Sequence, residues 1–170
     1  VVAGIYDQDF ALVCYNSDGS LDTSFSGTGK IITSIGGTDI AASLVVQADG
    51  KIVVAGGSYN GSNDDVSLVR YNADGSLDTS FNGTGKVTTA IGGPSDGYSV
   101  ALQSDGKILV SGYNRHGGND DFALLRYNTD ASLDTLFGLA NTLGNNVAYT
   151  ENSSAVPLDS QARIFDAELT

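Results

Sequence analysis

The stretch that decides the fold reads YNSDGSLDTSF and runs from Tyr15 to Phe25. It returns as YNADGSLDTSF from Tyr71 to Phe81 and as YNTDASLDTLF from Tyr127 to Phe137. Each recurrence lies 56 residues after the one before it. Self-similarity at a fixed period of this order indicates a repeat architecture.

The similarity extends on both sides of this stretch. Residues 49–81 and 105–137 are identical at 20 of 33 positions without a gap. The offset therefore divides most of the chain into units of one kind, the first of which lacks its first strand. The predicted organisation is a repeat array over 1–140, with a partial unit at 1–35 and further units at 36–91 and 92–140.

Inside one unit, the apolar runs have the length of strands and not of helices. The turn at 48–50 carries Asp-Gly between two β-branched runs, which is a strong hairpin signal. Short strands joined by tight turns predict an all-β fold made of four-stranded antiparallel sheets. In the second unit we predict strands near 42–48, 51–58, 65–72 and 85–91, with equivalents 56 residues later.

The third strand of a unit indicates how the sheets pack. Along residues 121–127, Phe122 and Leu124 point to one face, whereas Leu125 and Tyr127 point to the other. A strand that is apolar on both sides must be covered on both sides. Because a row of near-identical sheets covers the faces of its own members, we predict β-propeller-like blades, in a partial propeller or one completed by oligomerisation.

Three motifs recur in the same order. They read QxDGKI(V/L)VxG at 47–56, D(V/F)xLxRYNxDGSLDTSF at 65–81 and GTGK at 83–86. This pattern resembles the delta-60 repeat of large bacterial surface and secreted proteins, over residues 1 to about 138. The resemblance implies propeller-like blades in an extracellular structural or binding module, and it transfers no catalytic residue.

The array is predicted to end near residue 140, where the third copy reads GLAN at 138–141 in place of GTGK. The tail, 141–170, leaves two interpretations open. It resembles a linker and the opening of a cadherin-like β-sandwich, or it keeps the 56-residue offset and supplies the first strand of a degenerate blade. In the second case Pro157 requires an edge strand.

Composition excludes several classes of function. Eight basic against twenty acidic residues give a net charge of −12, which repels a phosphate backbone, so we expect no nucleic-acid partner. No apolar run approaches the roughly 18 residues of a membrane span, so we expect no membrane insertion.

The single cysteine, Cys14, excludes an intrachain disulfide. Residues 1–4 read as the interior of a strand, so we expect the chain to be a piece of a longer protein.

Two repeated motifs invite a ligand interpretation. Asn72, Asp74 and Asp78 are spaced like middle ligands of a calcium loop, but Arg70 and Phe81 occupy its end positions. The preferred interpretation is a hairpin turn whose Asp and Asn side chains bond to their own backbone. The segment 83–86 lacks the P-loop spacing and leads into a strand, so we interpret it as a tight turn.

Acidic pairs recur in every copy and could hold a cation or act as an acid and a base. Because they repeat, they lack the asymmetry of a single active site, and we prefer solvated turns. The only histidine, His116, is placed in a surface loop. The acidic pairs are Asp64 with Asp65, Asp120 with Asp121, and Asp7 with Asp9.

Two arginines lie on apolar strands. We predict that Arg70 and Arg126 are partly buried and paired with a carboxylate, namely Asp78 or Asp134. Cys14 stands at the equivalent position in the first copy, where we predict burial in a more apolar environment and no redox role.

These observations predict that the protein is not an enzyme. We assign no catalytic residue, no cofactor-binding residue and no metal ligand, and we expect no cofactor, calcium being the one ion considered. The predicted function is a structural or interaction module, as in adhesion, of a large secreted or cell-surface bacterial protein.

The alternative is a lectin-like propeller in which Tyr59, Tyr113 and the loops at 57–64 and 113–120 contact carbohydrate. The partner, protein or carbohydrate, stays open. The chain either forms homo-oligomers or continues into further blades and domains.

Overall fold

The computed structural model describes residues 1–137. The chain divides into two compact units, Val1–Leu133 and Asp134–Thr170. The first unit contains three antiparallel sheets, so the fold is all-β, as predicted. The predicted end of the array at 140 and both interpretations of 141–170 fall outside the described residues.

The strands follow the chain in order through the three sheets. A single 3-10 turn, Phe25–Gly27, precedes β3. Sheet 1 consists of β1 (Val2–Tyr6), β2 (Asp9–Val13) and β3 (Lys30–Thr33). Sheet 2 consists of β4 (Asp39–Val46), β5 (Ile52–Tyr59), β6 (Asp64–Tyr71) and β7 (Lys86–Thr89). Sheet 3 consists of β8 (Ser95–Leu102), β9 (Ile108–His116) and β10 (Asn119–Tyr127).

All four strands predicted for the second unit exist, with shifted ends. Strand β4 begins three residues earlier than predicted, at Asp39, whose carboxylate accepts hydrogen bonds from the backbone N–H groups of Ile35 and Gly36. Strand β7 ends at Thr89 and leaves Ile91 outside. Sheet 1 lacks a counterpart of β4 within the described residues, as the partial first unit predicts.

Sheet 2 lies between the other two, and each of its faces borders one apolar core. The core shared with sheet 1 is built around Phe10, Leu12, Phe25, Ile52, Val54, Val69 and Tyr71. The core shared with sheet 3 is built around Val53, Val66, Leu68, Phe81, Ile108, Val110, Leu125 and Tyr127. Alternate residues of β5 and β6 thus enter opposite cores, which is the stacking that the apolar pattern predicts.

The prediction that every third strand is covered on both faces is confirmed for β6. In β10 the side chain of Phe122 is 78% exposed and that of Leu124 is 45% exposed, whereas Leu125 and Tyr127 are buried. Within residues 1–137, sheet 3 borders another sheet on one side only, so the covering of the outer face of β10 stays a prediction.

The two cores repeat the same polar links. The Tyr71 hydroxyl donates to Thr33 Oγ1 at 2.7 Å, and the Tyr127 hydroxyl donates to Thr89 Oγ1 at 2.8 Å. Each pair joins the third strand of one sheet to the fourth-strand position of the sheet before it. The two interfaces between neighbouring sheets therefore repeat the same tyrosine–threonine hydrogen bond.

Candidate interaction surface

The repeated turn is held by side chains that bond to their own backbone. The N–H of Gly75 donates to the Asn72 carbonyl at 2.9 Å. The Asp74 carboxylate accepts from the N–H and the hydroxyl of Ser76 at 2.9 and 2.7 Å. The Asn72 carbonyl and the Asp74 carboxylate therefore accept hydrogen bonds that close the turn, which agrees with the hairpin-turn interpretation. Ala131 takes the place of Gly75 in the third copy, at φ +78°.

Asp78, the last acid of this motif, points into the sheet. Arg70 Nε donates to Asp78 Oδ2 at 2.7 Å, and Lys51 Nζ lies 2.9 Å from the same oxygen. Arg70 also lies over the Phe81 ring, 4.4 Å from its centroid, and its Nη1 donates to the Thr129 carbonyl at 2.7 Å. The predicted burial of Arg70 and its pairing with Asp78 are confirmed. Sequence reasoning missed Lys51, the second partner.

The Asp78 carboxyl is held in its charged form. Burial raises its pKa, but the hydrogen bonds from Ser80 and Lys51, together with the charge of Arg70, bring the pKa well below its usual range. The Ser80 hydroxyl donates to Asp78 Oδ1 at 2.6 Å. Both oxygens are therefore occupied by structural bonds.

Arg126 occupies the position of Arg70 in the third copy. It is half-buried, and its Nη1 lies 3.5 Å from Gln103 Oε1. The predicted partner, Asp134, belongs to the second unit of the chain. Its pairing with Arg126 stays a prediction.

Cys14 packs against the apolar core shared by sheets 1 and 2, but the burial predicted for it is wrong. Its side chain is half-buried and not fully buried. The thiol donates to Asp22 Oδ2 at 3.8 Å, because the acid that Arg70 binds in the second copy is also present in the first.

The segment 83–86 is a tight turn, as predicted. Gly83 and Gly85 have φ of +73° and +82°, a backbone region that glycine adopts without steric cost. Thr84 Oγ1 bonds to the backbone of Lys86, and Lys86 Nζ donates to the Ser34 carbonyl at 2.7 Å. The lysine therefore links sheet 2 to the loop that follows β3 of sheet 1.

The repeated acids share a place in the sequence but not a chemical environment. Asp65 is buried, and it accepts a hydrogen bond from Asn60 Nδ2 at 2.7 Å. Asp120 is exposed and bound by Arg115 Nε at 2.7 Å. Asp64 and Asp9 are half-buried, whereas Asp7 and Asp121 are exposed. Among residues 1–137, no three His, Cys, Asp or Glu side chains are grouped so that they could hold a metal ion.

The loops predicted at 57–64 and 113–120 are mostly strand. Strand β5 runs to Tyr59 and β6 begins at Asp64, so the loop shrinks to 60–63. His116 is the last residue of β9, paired with Asn119 and exposed, so its assignment to a loop is wrong although its exposure is correct. The strands extend beyond the predicted ends through polar residues. The alternation of apolar residues stops before the backbone pairing of the strands does, so the sequence pattern does not indicate these extensions.

A cluster of three side chains on sheet 3, which we call the tyrosine cluster, contains Asp96, Tyr98 and Tyr113. The rings of Tyr98 and Tyr113 lie 5.5 Å apart at 37°, and Asp96 is the register partner of Tyr113. Tyr98 is exposed, and Asp96 Oδ1 is buried without a hydrogen-bond partner. Of these, sequence reasoning identified only Tyr113.

The two polar members of the cluster influence each other. Desolvation raises the pKa of the Asp96 carboxyl, the Tyr113 hydrogen bond lowers it, and the Asp64 charge raises it again. Desolvation and the neighbouring Asp96 raise the pKa of Tyr113 to about 12. The cluster therefore offers an exposed aromatic ring beside a partly desolvated carboxylate. Tyr59, the other predicted sugar contact, lies exposed at the end of β5.

Comparison with known proteins identifies the repeat. A family model described as "Domain of unknown function (DUF5122) beta-propeller" matches residues 1–25, 47–81 and 103–137. No curated protein matches the chain. Among residues 1–137, no helix has the length and hydropathy to cross a bilayer.

Proposed function

Since the chain belongs to the DUF5122 β-propeller family, we propose that it is a non-catalytic structural or interaction module of a large secreted or cell-surface bacterial protein. The observation that carries this proposal is the use of the repeated polar residues. Asp74, Asp78, Arg70 and Lys86 are occupied by bonds within the turns and between sheets. These repeated residues therefore stabilise the sheets and turns. We infer that a partner is recognised by residues that differ between copies.

The extracellular setting and the roles in adhesion are part of the same proposal. They rest on the resemblance to delta-60 repeats and on an acidic chain with a single cysteine. The cadherin-like interpretation of 141–170 fits this setting and stays a prediction.

A second candidate, carbohydrate binding, is favoured by the tyrosine cluster. An exposed tyrosine can stack on a sugar ring, and an adjacent carboxylate can accept its hydroxyl hydrogens. Tyr98 provides the exposed ring on sheet 3, whereas Asp96 Oδ1 is buried, so the ring and not the carboxylate favours this candidate. The cluster has no counterpart at the same position in the second unit, where Ala42, Ile40 and Gly57 stand.

A glycan array distinguishes the two candidates, with wild type, Tyr98→Ala and the control Tyr6→Ala, an exposed tyrosine on sheet 1, measured side by side. Glycan binding that is lost only in Tyr98→Ala would establish the carbohydrate candidate. The absence of both glycan binding and turnover of a polysaccharide panel is the result expected of a structural module. Turnover of any polysaccharide by the purified chain would contradict the non-catalytic proposal.

A further inference from the structure

The stack of three sheets ends in two apolar faces that no other sheet covers within residues 1–137. On sheet 3 this face carries Phe122 and Leu124. On sheet 1 the outer face carries Val13 and Tyr15, and Tyr15 is 50% exposed. Val2 and Ile32 lie on the same face, because they are the register partners of Val13 and Ala11, and both are exposed.

The internal repeats show what covers the face of sheet 3. Phe122 occupies the position of Phe10 and Val66, both of which are fully buried. Leu124 likewise occupies the position of Leu12 and Leu68, which are also fully buried. In both internal interfaces, these two positions of one sheet pack against the third strand of the sheet that follows it in the chain. That strand contributes a buried tyrosine and an aliphatic residue. These pairs are Val69 with Tyr71, and Leu125 with Tyr127.

The outer face of sheet 1 carries the same pair of residues, an aliphatic residue and a third-strand tyrosine. Tyr15 stands at the position of Tyr71 and Tyr127, and Val13 stands at the position of Val69 and Leu125. Each chain therefore carries the third-strand residues of both halves of this interface, although within the described residues sheet 1 has no counterpart of β4 and β8, which take part in the internal interfaces. The two halves lie at opposite ends of the stack, since sheet 2 separates sheets 1 and 3.

We propose that sheet 1 of a second copy of this chain docks on sheet 3 of the first, with Phe122 and Leu124 packing against Val13 and Tyr15 of the other copy. The contact is heterologous, because different faces of the two copies meet. The described residues of two copies supply six sheets, a number within the roughly four to eight blades of closed propellers. This inference does not rest on the structural-module proposal, but it competes with the carbohydrate candidate, because Tyr113 is the register partner of Phe122 and the tyrosine cluster lies on the same face of sheet 3.

Charge gives the association a second signature. Two copies with a net charge of −12 repel each other, and salt screens this repulsion. Apolar packing of Phe122 on Tyr15 is not weakened by moderate salt. Association should therefore strengthen as the salt concentration rises, unlike association through ion pairs.

The test is the mass of the full chain by sedimentation velocity, for wild type, Phe122→Asp and Tyr15→Asp. The matched control is Ile5→Asp, which makes the same change of charge at an exposed apolar residue whose register partner, Phe10, faces sheet 2. We expect wild type and control at or above the mass of two copies, and both other variants as monomers. Since Phe122 and Tyr15 are exposed in the single chain, the variants should keep the circular-dichroism spectrum and the cooperative melt of wild type.

Mixing the two monomeric variants completes the test. One copy keeps an intact sheet 3 face and the other an intact sheet 1 face, so the mixture should form dimers that neither variant forms alone. Three results would overturn the proposal. Wild type could be monomeric up to about 100 µM, where even a weak contact is populated. Both variants could keep the wild-type mass, or the mixture could stay monomeric.

Discussion

Arg70 joins three parts of the molecule through one side chain. It binds the Asp78 carboxylate, stacks on Phe81 and donates to the carbonyl of Thr129 in the following copy. Arg70, Asp78 and Phe81 are buried, so the loss of Arg70 breaks a buried ion pair. Lys51 Nζ lies 2.9 Å from Asp78 Oδ2 and stays as a partner of the carboxylate when Arg70 is removed, so we expect a cost at the lower end of that for a broken buried pair.

Arg70→Ala should therefore lower the free energy of unfolding by about 3 kcal/mol. The matched control is Arg115→Ala, which removes an arginine from the exposed pair with Asp120 and should leave the free energy of unfolding close to that of wild type. Urea denaturation of both variants measures the difference. Equal midpoints for the two variants would contradict the structural role of Arg70.

Asp78 makes stability depend on acid. Because its folded-state pKa lies below the ordinary value of 3.8, its contribution is present above about pH 4 and is lost as the pH falls further. The difference in unfolding free energy between wild type and Asp78→Asn should thus shrink between about pH 5 and pH 2. Urea titrations across this range measure it, and a difference that stayed constant would rule out the shifted carboxyl as its source.

At the scale of elements, glycines of the second strand permit a close approach of the first strand. A Cβ on Gly56 would lie 1.8 Å from the carbonyl oxygen of Ile40, and one on Gly112 would lie 1.8 Å from that of Asp96. Each lies opposite a β-bulge, at Ala41/Ser43 in β4 and at Gly97/Ser99 in β8. The bulge and the glycine therefore belong together.

Gly4 aligns with Gly56, but a Cβ on Gly4 would meet no other atom within 4 Å, since sheet 1 has no strand at the place of β4 within the described residues. We expect Gly56→Ala and Gly112→Ala to destabilise the fold strongly, and Gly4→Ala to leave it close to wild type. Thermal melts followed by circular dichroism provide the comparison. A Gly4→Ala variant as unstable as Gly56→Ala would contradict this account of the bulge.

The elements also show where sequence reasoning succeeds and where it stops. The repeat predicts the 56-residue period, the number of strands in a unit and the pairing of Arg70 with Asp78. An interpretation of one copy can be checked against the same positions in the other copies. The tyrosine cluster could not be predicted in full, since the bulge beside Tyr98 shifts the register of β8 relative to β9. The exposure of Phe122 could not be predicted either, because the sequence of β10 matches that of β6, and only the position of sheet 3 in the stack distinguishes them.

At the scale of the whole molecule, sheet 2 is covered on both faces by sheets with closely similar sequences. Strands β5 and β6 contribute to both cores, whereas the strands of sheets 1 and 3 contribute to one core each. Opening of an outer sheet leaves one of these cores intact, but exposure of β5 and β6 requires the loss of both. The middle sheet should therefore open only with global unfolding.

Native-state hydrogen exchange, read by mass spectrometry at low protein concentration, tests this claim most directly. We predict that the amides of β5 and β6 exchange most slowly, at the rate set by global unfolding, and that those of β2 and β10 exchange faster. Amides of β5 and β6 that exchanged as fast as those of β10 would contradict the stacked arrangement.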